Sequence, residues 1–473
     1  MIRRAKKKHL QRGLSQWGTP KMRAFLKSIA AAAVLGSIAG PVAAQTAATG
    51  ATLFQNVRIF DGTGNSLSAP SNVLVRGNRI ERASAAPILL DKSAGGVVID
   101  GGGRTLMPGL IDMHRHTLLV RPSYSELLTV DVGYLNALGA AEATATLMRG
   151  FTTVRDMGGP AFGLKRAVDE GVLPGPRIYP SGAMITVTSG HGDFRQSWEV
   201  PRTIGAPNSR GEQVGAAMIA VGPNEVTVRV REQLMQGASQ IKLTAGGGVA
   251  SPHSPIDVAT FTDVELRAAV EAAANWGTYV TVHAYTPAAI QRAIAAGVQC
   301  IEHGHLMDDA TARMMAEKGV WLSMQPLPDD LAGAFPPGSE QRAKAVEVFA
   351  GTEKTYALAR KYRIKTAWGT DVLFSPALAT KQGALLAKIA TWFTPGEALG
   401  QATGTNAQLL ALSGKRNPYP GKLGVVEEGA FADLLLVDGN PLENIALEAD
   451  PARNFLVIMK DGTIYKNTQS AVR

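Results

Sequence analysis

Hydrophobic and polar positions follow two different patterns along this chain. Short β-rich runs separated by Gly and Asn turns occur near both ends of the sequence, for example NVLVRGNRIERA and FLVIMKDGTIYKN, and such runs predict strands. Between them, brief apolar runs alternate with longer segments of helical period, such as ELRAAVEAAANWG and PAAIQRAIAAG. The pattern predicts a small β-domain, built from both ends of the chain, beside a middle part of alternating strands and helices.

The middle part, residues 109–414, contains eight apolar runs: LIDMH, GFTTVRDMG, RIYPSGAMI, QIKLTAGGG, TYVTVHAY, VQCIEHGH, VWLSMQP and TAWGTD. Eight strand–helix units in about 300 residues fit a (β/α)₈ barrel, whose usual size is about 250 residues with insertions allowed. A doubly wound open sheet is the alternative. We therefore predict an α/β protein with a TIM-like barrel over residues 109–414 and a small β-sandwich domain over residues 51–108 and 415–473.

The positive charge is concentrated at the N-terminus. The chain carries 48 Lys and Arg against 39 Asp and Glu, and nine of the basic residues but no acidic ones lie within residues 1–44, so the remainder is balanced. A balanced remainder argues against a nucleic-acid partner. The stretch MRAFLK is followed by the apolar run SIAAAAVLGSIAG and then by the small residues Val42, Ala43 and Ala44. This order predicts an N-terminal extension and signal peptide over residues 1–44. The run is shorter than the roughly 20 residues that a membrane anchor requires, so we expect a periplasmic or secreted protein without a stable anchor.

Cys300 is the only cysteine. An intrachain disulfide is therefore excluded, even in the oxidising compartment that an export signal implies.

The stretch LIDMHRH places two histidines two positions apart at the end of an apolar run. Side chains at i and i+2 of a strand point to the same side, so His114 and His116 can share one metal ion. The pair alone is a weak signal, because two ordinary histidines at a strand end would look the same.

The run QIKLTAGGG places Lys242 between two aliphatic residues. If the aliphatic side chains face the helices, alternation directs the lysine into the barrel, where an unpaired ammonium group is costly. Either Lys242 pairs with a carboxylate or the strand register is shifted, or carbon dioxide has converted the lysine into a carbamate that can bridge two metal ions.

Three further runs end in residues that bind metals: His283 in TVHAY, His303 in IEHGH and Asp371 in WGTD. The ends of the strands form the floor of the active site in a (β/α)₈ barrel, so these residues and the histidine pair would converge there. Their nitrogen and oxygen donors suit zinc and similar divalent ions.

The motif PGLIDMHRH, followed in order by Lys242, His283, His303 and Asp371, resembles the amidohydrolase superfamily over nearly the whole mature chain. The resemblance implies a binuclear site. In it His114, His116 and Asp371 hold one metal, His283 and His303 hold the other, and carboxylated Lys242 bridges them.

A closer resemblance is to the branch of imidazolonepropionase-like proteins, Xaa-Pro and Xaa-Arg/Lys dipeptidases or carboxypeptidases, and ochratoxin-hydrolysing amidases. It is carried by GFTTVRDMGG, TSGHGDFR, IKLTAGGGVASPHSP and EEGAFADLLLVDGNPLENI. Arg115 departs from the family, whose members usually carry a smaller residue between the two histidines. By alternation we expect Arg115 to point away from the metals.

The resemblance implies hydrolysis of an amide bond to a C-terminal amino acid, as in a dipeptide, an N-acyl amino acid or ochratoxin A, by a metal-activated hydroxide. Asp371 would be both a metal ligand and the general base. The loop residue His191 would contact the substrate carbonyl oxygen or carboxylate, with Tyr285 and His253 helping to bind the carboxylate. Arg195 is a further candidate, which an exposed salt bridge explains equally well.

Two other functions stay open at this point. Hydrolysis of a cyclic amide or lactone could use the same metal site. A barrel that serves only as a binding or assembly module would typically lack several ligands, whereas all six positions are filled here. The expected partner is a small-molecule substrate, and assembly into a homo-oligomer is left open.

Overall fold

The computed structural model describes residues 50–91, 95–200, 207–327 and 329–469. The predicted export signal, residues 1–44, lies outside these ranges. Among the described residues, we find no helix with the length and apolar character needed to span a membrane.

Each of the eight apolar runs of the middle part forms a strand. The barrel strands in chain order are β6 (Leu110–Arg115), β7 (Phe151–Asp156), β8 (Arg177–Pro180), β11 (Ile241–Thr244), β12 (Val280–Ala284), β13 (Cys300–His303), β14 (Trp321–Met324) and β15 (Thr366–Trp368). Neighbouring strands pair in parallel from β6 to β8 and from β11 to β15.

Contacts between strand ends join these two sheets into a TIM-like barrel. The backbone N–H of Ser239, just before β11, donates to the carbonyl of Pro180 in β8 at 2.8 Å. On the other side, the N–H of Asp371 donates to the carbonyl of His114 at 2.8 Å. This second contact places the last strand end directly beside the histidine pair.

The third run, RIYPSGAMI, differs from the prediction of one strand. It splits into β8 and the short strand β9 (Met184–Thr186) because Gly182, with φ +72°, turns the chain between them. Strand β9 pairs with β11 and with a strand that the pattern did not predict, β10 (Ala217–Ile219).

Helices cover the barrel strands on the outside. The longest are Val132–Met148, Gly222–Gln236, Asp263–Asn275, Thr352–Tyr362, Asp309–Lys318, Glu340–Phe349, Pro287–Ala295 and Phe162–Asp169. Shorter helices are Tyr124–Thr129, Arg210–Gln213, Pro376–Ala379, Gln382–Lys388, Pro395–Gly400, Asn406–Leu410 and Pro451–Asn454. Local sequence sets their starts: Thr262 and Glu265 form a capping box at one helix, and Pro287 occupies the first turn of the next.

The strands from both ends of the chain form one sheet beside the barrel. They are β1 (Ala51–Ile59), β2 (Ser71–Arg76), β3 (Arg79–Ser84), β4 (Val97–Asp100), β5 (Thr105–Pro108), β16 (Leu434–Val437), β17 (Phe455–Lys460) and β18 (Thr463–Asn467). Strand β16 pairs with β5, which joins the two ends. The first half of β1 pairs with β2 and β4, its second half with β5, and both sets of strands contribute to one apolar core that includes Phe54, Val73, Leu106, Leu434 and Val457.

Candidate active site

All six predicted metal ligands line one cavity of about 260 Å³ at the ends of the barrel strands. They are His114, His116, Lys242, His283, His303 and Asp371. The strands bring together residues that lie up to 257 positions apart in the sequence, because the carboxyl ends of barrel strands face the same side.

The Asp371 carboxylate lies at the centre of the cluster. Its Oδ1 is 3.3 Å from Nε2 of His114 and 3.2 Å from Nε2 of His116, and its Oδ2 is 3.9 Å from Nδ1 of His303. One donor atom each from His114, His303 and Asp371 lie within 4.8 Å of one another. His114 belongs to the set of ligands predicted for one metal, and His303 belongs to the set predicted for the other. The two predicted metal sites are therefore adjacent in the cavity.

Each of the four histidines uses one ring nitrogen for an outer hydrogen bond. Nδ1 of His114 lies 2.8 Å from Oε2 of Glu302, and Nδ1 of His116 lies 3.0 Å from the carbonyl of Gly158. His283 uses Nε2, 2.8 Å from the Gly247 carbonyl, and His303 uses Nδ1, 2.6 Å from Oε1 of Gln325. These outer atoms are acceptors, so the ring nitrogen bonded to each of them carries the proton.

In a neutral ring the second nitrogen is then a lone-pair acceptor. Burial lowers the pKa of His114, His283 and His303, which keeps these rings neutral. Nε2 of His114 and Nε2 of His116 lie 3.3 Å and 3.2 Å from the same carboxylate oxygen of Asp371, so one cation can contact all three atoms. Outer hydrogen bonds that orient histidines in this way are typical of metal ligands, so these residues fit a bound divalent cation.

Lys242 is buried, with 2% of its surface exposed. Among the described residues it forms no ion pair with a carboxylate, and its Nζ lies 3.4 Å from Nε2 of His114. Burial lowers the pKa of the amine to about 8. No carboxylate oxygen of the described residues therefore lies within ion-pair distance of Nζ, and Lys242 faces the cavity, as alternation along the strand predicts.

Two of the candidate ligands have unusual backbone angles. His303 has φ +76° and Asp371 has φ +52°, in the left-handed region that side chains other than glycine seldom adopt. Such conformations persist where the surroundings hold them, and they cluster at functional sites. The backbone thus turns both side chains out of the strand alternation and towards the cavity.

A buried charged network below the cavity was missed by the sequence analysis. Glu302, the outer partner of His114, also accepts a hydrogen bond at 2.6 Å from the guanidinium of Arg155 in β7. Arg155 further donates to the hydroxyl of Tyr279 at 2.9 Å and to Oγ of Ser323 at 3.1 Å. The sequence did carry a signal for this network, since Glu302 and Arg155 each lie inside an apolar strand run. Charged side chains inside a barrel require partners, so two such residues of opposite charge could have been predicted to pair.

Arg115 points away from the cavity, as expected, but it is completely buried. Its Nη2 donates to Oε1 of Glu142 at 2.7 Å and its Nη1 to Oγ1 of Thr370 at 3.3 Å. Glu142, on the outer helix Val132–Met148, also pairs with Arg121 and Arg149. The buried guanidinium group of Arg115 is accommodated because it pairs with the Glu142 carboxylate between β6 and the outer helix.

His191 and Tyr285 lie where the sequence analysis expected substrate contacts. Both line the cavity, and their rings lie 4.3 Å and 4.6 Å from the ring of His283. Burial lowers the pKa of His191 to about 3, so the ring is neutral. No hydrogen bond from the Tyr285 hydroxyl to another described residue is present, which leaves this group available to a ligand.

The other two candidates are not brought to the cavity. His253 is exposed and does not line it; its carbonyl accepts a hydrogen bond from Ser189 at 2.6 Å. Arg195 pairs with both carboxylate oxygens of Asp193, at 2.8 and 2.6 Å. The salt bridge predicted for Arg195 is present, but it is buried rather than exposed, since only 5% of Arg195 is accessible.

The walls of the cavity are apolar. Among the described residues that line it, the charged groups and histidines lie with the metal-ligand cluster or beside it. The walls include Phe194, Leu327, Leu331, Phe335, Phe349 and Leu378. A polar floor under an apolar wall is the usual form of a small-molecule site.

Comparison with known proteins places these features in context. Residues 105–465 match the amidohydrolase family. The chain is 32% identical to ochratoxinase from Aspergillus niger over 371 residues, which cover 76% of this chain and 75% of the relative.

Two solved structures share the whole architecture. A prolidase complexed with N-methylphosphonate-L-proline is 34% identical, with a TM-score of 0.80 over 88% of this chain and 100% of its own. A Xaa-Pro dipeptidase with methionine bound in the active site is 29% identical, with a TM-score of 0.75 over 88% of this chain and 100% of its own. The barrel fold predicted from the sequence is thereby confirmed.

Proposed function

The chain belongs to the amidohydrolase family and acts on amide bonds as a hydrolase, and on this basis we propose that it cleaves the amide bond to a C-terminal amino acid. The substrate would be a dipeptide or an N-acyl amino acid with an apolar acyl group. An amide of the ochratoxin A type, in which a phenylalanine is joined to an aromatic acid, has this chemistry.

The observation that carries the proposal is the position of the six candidate ligands at the floor of an apolar cavity. An amide held in this cavity would place its carbonyl group at the floor and its acyl group against the aromatic and aliphatic wall. The similarity to an ochratoxinase, a prolidase and a Xaa-Pro dipeptidase supports an amino acid on the other side of the amide bond.

We propose that His114, His116 and Asp371 would hold one divalent cation and that His283 and His303 would hold another, with a carbamate on Lys242 as a further oxygen donor. Bound there, two zinc ions or similar cations would act as Lewis acids on the substrate carbonyl and lower the pKa of water. A lysine whose pKa is lowered to about 8 is about one tenth free amine at pH 7, and the free amine is the form that adds to carbon dioxide.

The residues of the chain move the protons. Asp371 accepts the proton of the attacking water and returns it to the amine that leaves. The neutral ring of His191 donates a hydrogen bond to the carbonyl oxygen as negative charge develops there, and such donors contribute most in a site that excludes water. The Tyr285 hydroxyl donates to the carboxylate of the substrate.

We also propose that the protein is exported. The support is the charge, apolar run and small residues of the N-terminal segment. N-terminal sequencing of the protein from separated cell fractions tests this, and a chain recovered from the cytoplasm with residues 1–44 intact would contradict it.

Paired substrates test the catalytic proposal. Purified protein is given N-acyl amino acids with apolar acyl groups, each as the free acid and as the C-terminal amide, together with cyclic amides and lactones. We expect turnover of the free acids and a preference for the free acid that falls in Tyr285→Phe. Turnover of cyclic substrates alone would replace the proposal with the cyclic amide or lactone activity. The same preference in wild type and Tyr285→Phe would refute the role of the tyrosine.

A further inference from the structure

A buried serine lies behind the ring of His191. Ser251, in the loop after β11, is completely buried. Its Oγ lies 2.9 Å from Nδ1 of His191 and accepts a hydrogen bond at 2.8 Å from the backbone N–H of Gly192. The hydroxyl thus meets the histidine and the residue that follows it.

The proton positions follow from these two contacts. The Gly192 N–H can only donate, so the serine oxygen accepts from it, and the hydroxyl hydrogen remains to be placed. Among the described residues, Nδ1 of His191 is the acceptor within reach of that hydrogen. If Nδ1 carried a proton, the hydroxyl hydrogen would be buried without a partner, which is costly. Nδ1 therefore accepts, and the ring proton lies on Nε2.

The ring is held closely in this orientation. A Cβ atom added to Gly248 would lie 2.1 Å from Nδ1 of His191, so the absence of a side chain there lets the ring approach the loop. His191 lines the cavity, and the centre of its ring lies 4.3 Å from that of His283. No hydrogen bond from Nε2 to another described residue is present.

The loop is anchored independently of the histidine. Nζ of Lys344 donates to the backbone carbonyl of Ser251 at 3.2 Å. Lys344 belongs to the helix Glu340–Phe349, whose last residue lines the same cavity. The serine is thus fixed relative to the cavity wall before any substrate is bound.

We propose that Ser251 is a positioning residue that fixes His191 in the tautomer with its proton on Nε2, so that the ring presents a neutral N–H donor to the carbonyl oxygen of the substrate. The proposal rests on the amide hydrolysis proposed above. The tautomer of His191 does not depend on the identity of the substrate. The role of Ser251 can therefore be tested separately from the proposed amide hydrolysis.

The tautomer is measured by ¹⁵N NMR of the histidine side chains in the zinc-loaded protein, with the His191 signals assigned by their loss in His191→Ala. We expect an unprotonated Nδ1 and a protonated Nε2 in the wild type. In Ser251→Ala the Nδ1 partner is absent, and we expect a mixture of tautomers. The wild-type spectrum alone overturns the proposal if Nδ1 carries the proton, even if Ser251→Ala fails to fold.

Kinetics provide the second readout, with a matched control in the same loop. Ser254 is also completely buried, but its hydroxyl has no hydrogen-bond partner among the described residues. We expect Ser251→Ala to lower kcat about 5- to 10-fold with little change in KM, the effect of weakening one donor that acts in the transition state. Ser254→Ala should leave kcat within about 2-fold of the wild type.

A double mutant separates positioning from general structure. If Ser251 acts through His191, adding Ser251→Ala to His191→Ala should cause no further loss of kcat. An additional 5-fold loss in that background would overturn the proposal, as would equal losses in Ser251→Ala and Ser254→Ala. If the wild type hydrolyses none of the amides but shows the Nε2 tautomer, the proposed function fails while the role of Ser251 in orienting the ring stands.

Discussion

Glu448 is a buried carboxyl without a partner, and its removal should change how stability depends on pH. It lies in the 3₁₀ turn Ile445–Ala449, is completely buried, and neither carboxyl oxygen has a hydrogen-bond partner among the described residues. Gly383 allows the turn to pack on the helix Gln382–Lys388, since a Cβ there would lie 1.8 Å from the Glu448 carbonyl oxygen. Burial raises the pKa of the carboxyl from 4.5 to about 8.

The sign follows from the two states. Between pH 4.5 and pH 8 the folded protein keeps the Glu448 proton while the unfolded chain releases it, so the free energy of unfolding falls as the pH rises through this window. At about 1.4 kcal/mol for each pH unit, the contribution of Glu448 falls by roughly 3–4 kcal/mol between pH 5 and pH 8. Glu448→Gln cannot ionise, so its stability relative to the wild type should rise by that amount over the same interval.

Equilibrium unfolding in urea, followed by tryptophan fluorescence at pH 5, 6.5 and 8, measures the effect. Glu443→Gln is the matched control, because Glu443 is exposed in the same segment and its replacement should leave the pH dependence unchanged. Titration of the metal site is common to all three proteins and cancels in the differences. The stability of Glu448→Gln relative to the wild type could instead stay constant to within about 0.5 kcal/mol from pH 5 to pH 8, the usual range for surface substitutions. That result would show that Glu448 does not keep its proton in the folded protein.

Three further predictions concern the metal site and its supports. Asp371→Asn should fold but lose at least 100-fold in kcat, since it removes the general base; near-normal turnover of the metal-loaded variant would exclude that role. Glu302→Gln should weaken metal binding about 10- to 100-fold, because it removes the charged partner of His114; titration with a chelator measures this, and unchanged affinity would contradict it. Arg115→Met should lower the free energy of unfolding by about 1–3 kcal/mol, because Glu142 keeps two other arginines, while metal content per folded chain stays the same; a loss of metal would show that Arg115 supports the site.

The barrel and the direction of its ligands were predictable because they depend on local pattern. Alternation along a strand fixes the side of Lys242 and Arg115, and both point as expected. The end of each run identified the strand ends where ligands meet. The split at Gly182 and the added strand β10 were not predicted. A glycine turn inside an apolar run and a strand of three residues hardly change the pattern of hydrophobic and polar positions from which strands are predicted.

The partners of the ligands were not predictable from local pattern. Glu302 and His114 are 188 residues apart, and nothing in either segment identifies the other. Loop residues show the same limit: His191 enters the cavity whereas His253 stays exposed, since the path of a loop depends on contacts such as the Ser251 hydrogen bonds. Buried Arg195 shows that a charged residue in a loop need not face water when a carboxylate lies two residues away.

The most direct test of the account is the metal content of the purified protein together with its turnover of apolar N-acyl amino acids, after growth with zinc and bicarbonate. We expect about two metal ions per chain, loss of turnover when a chelator removes them, and recovery when zinc is restored. Full turnover by chelator-treated protein that holds no metal would contradict it.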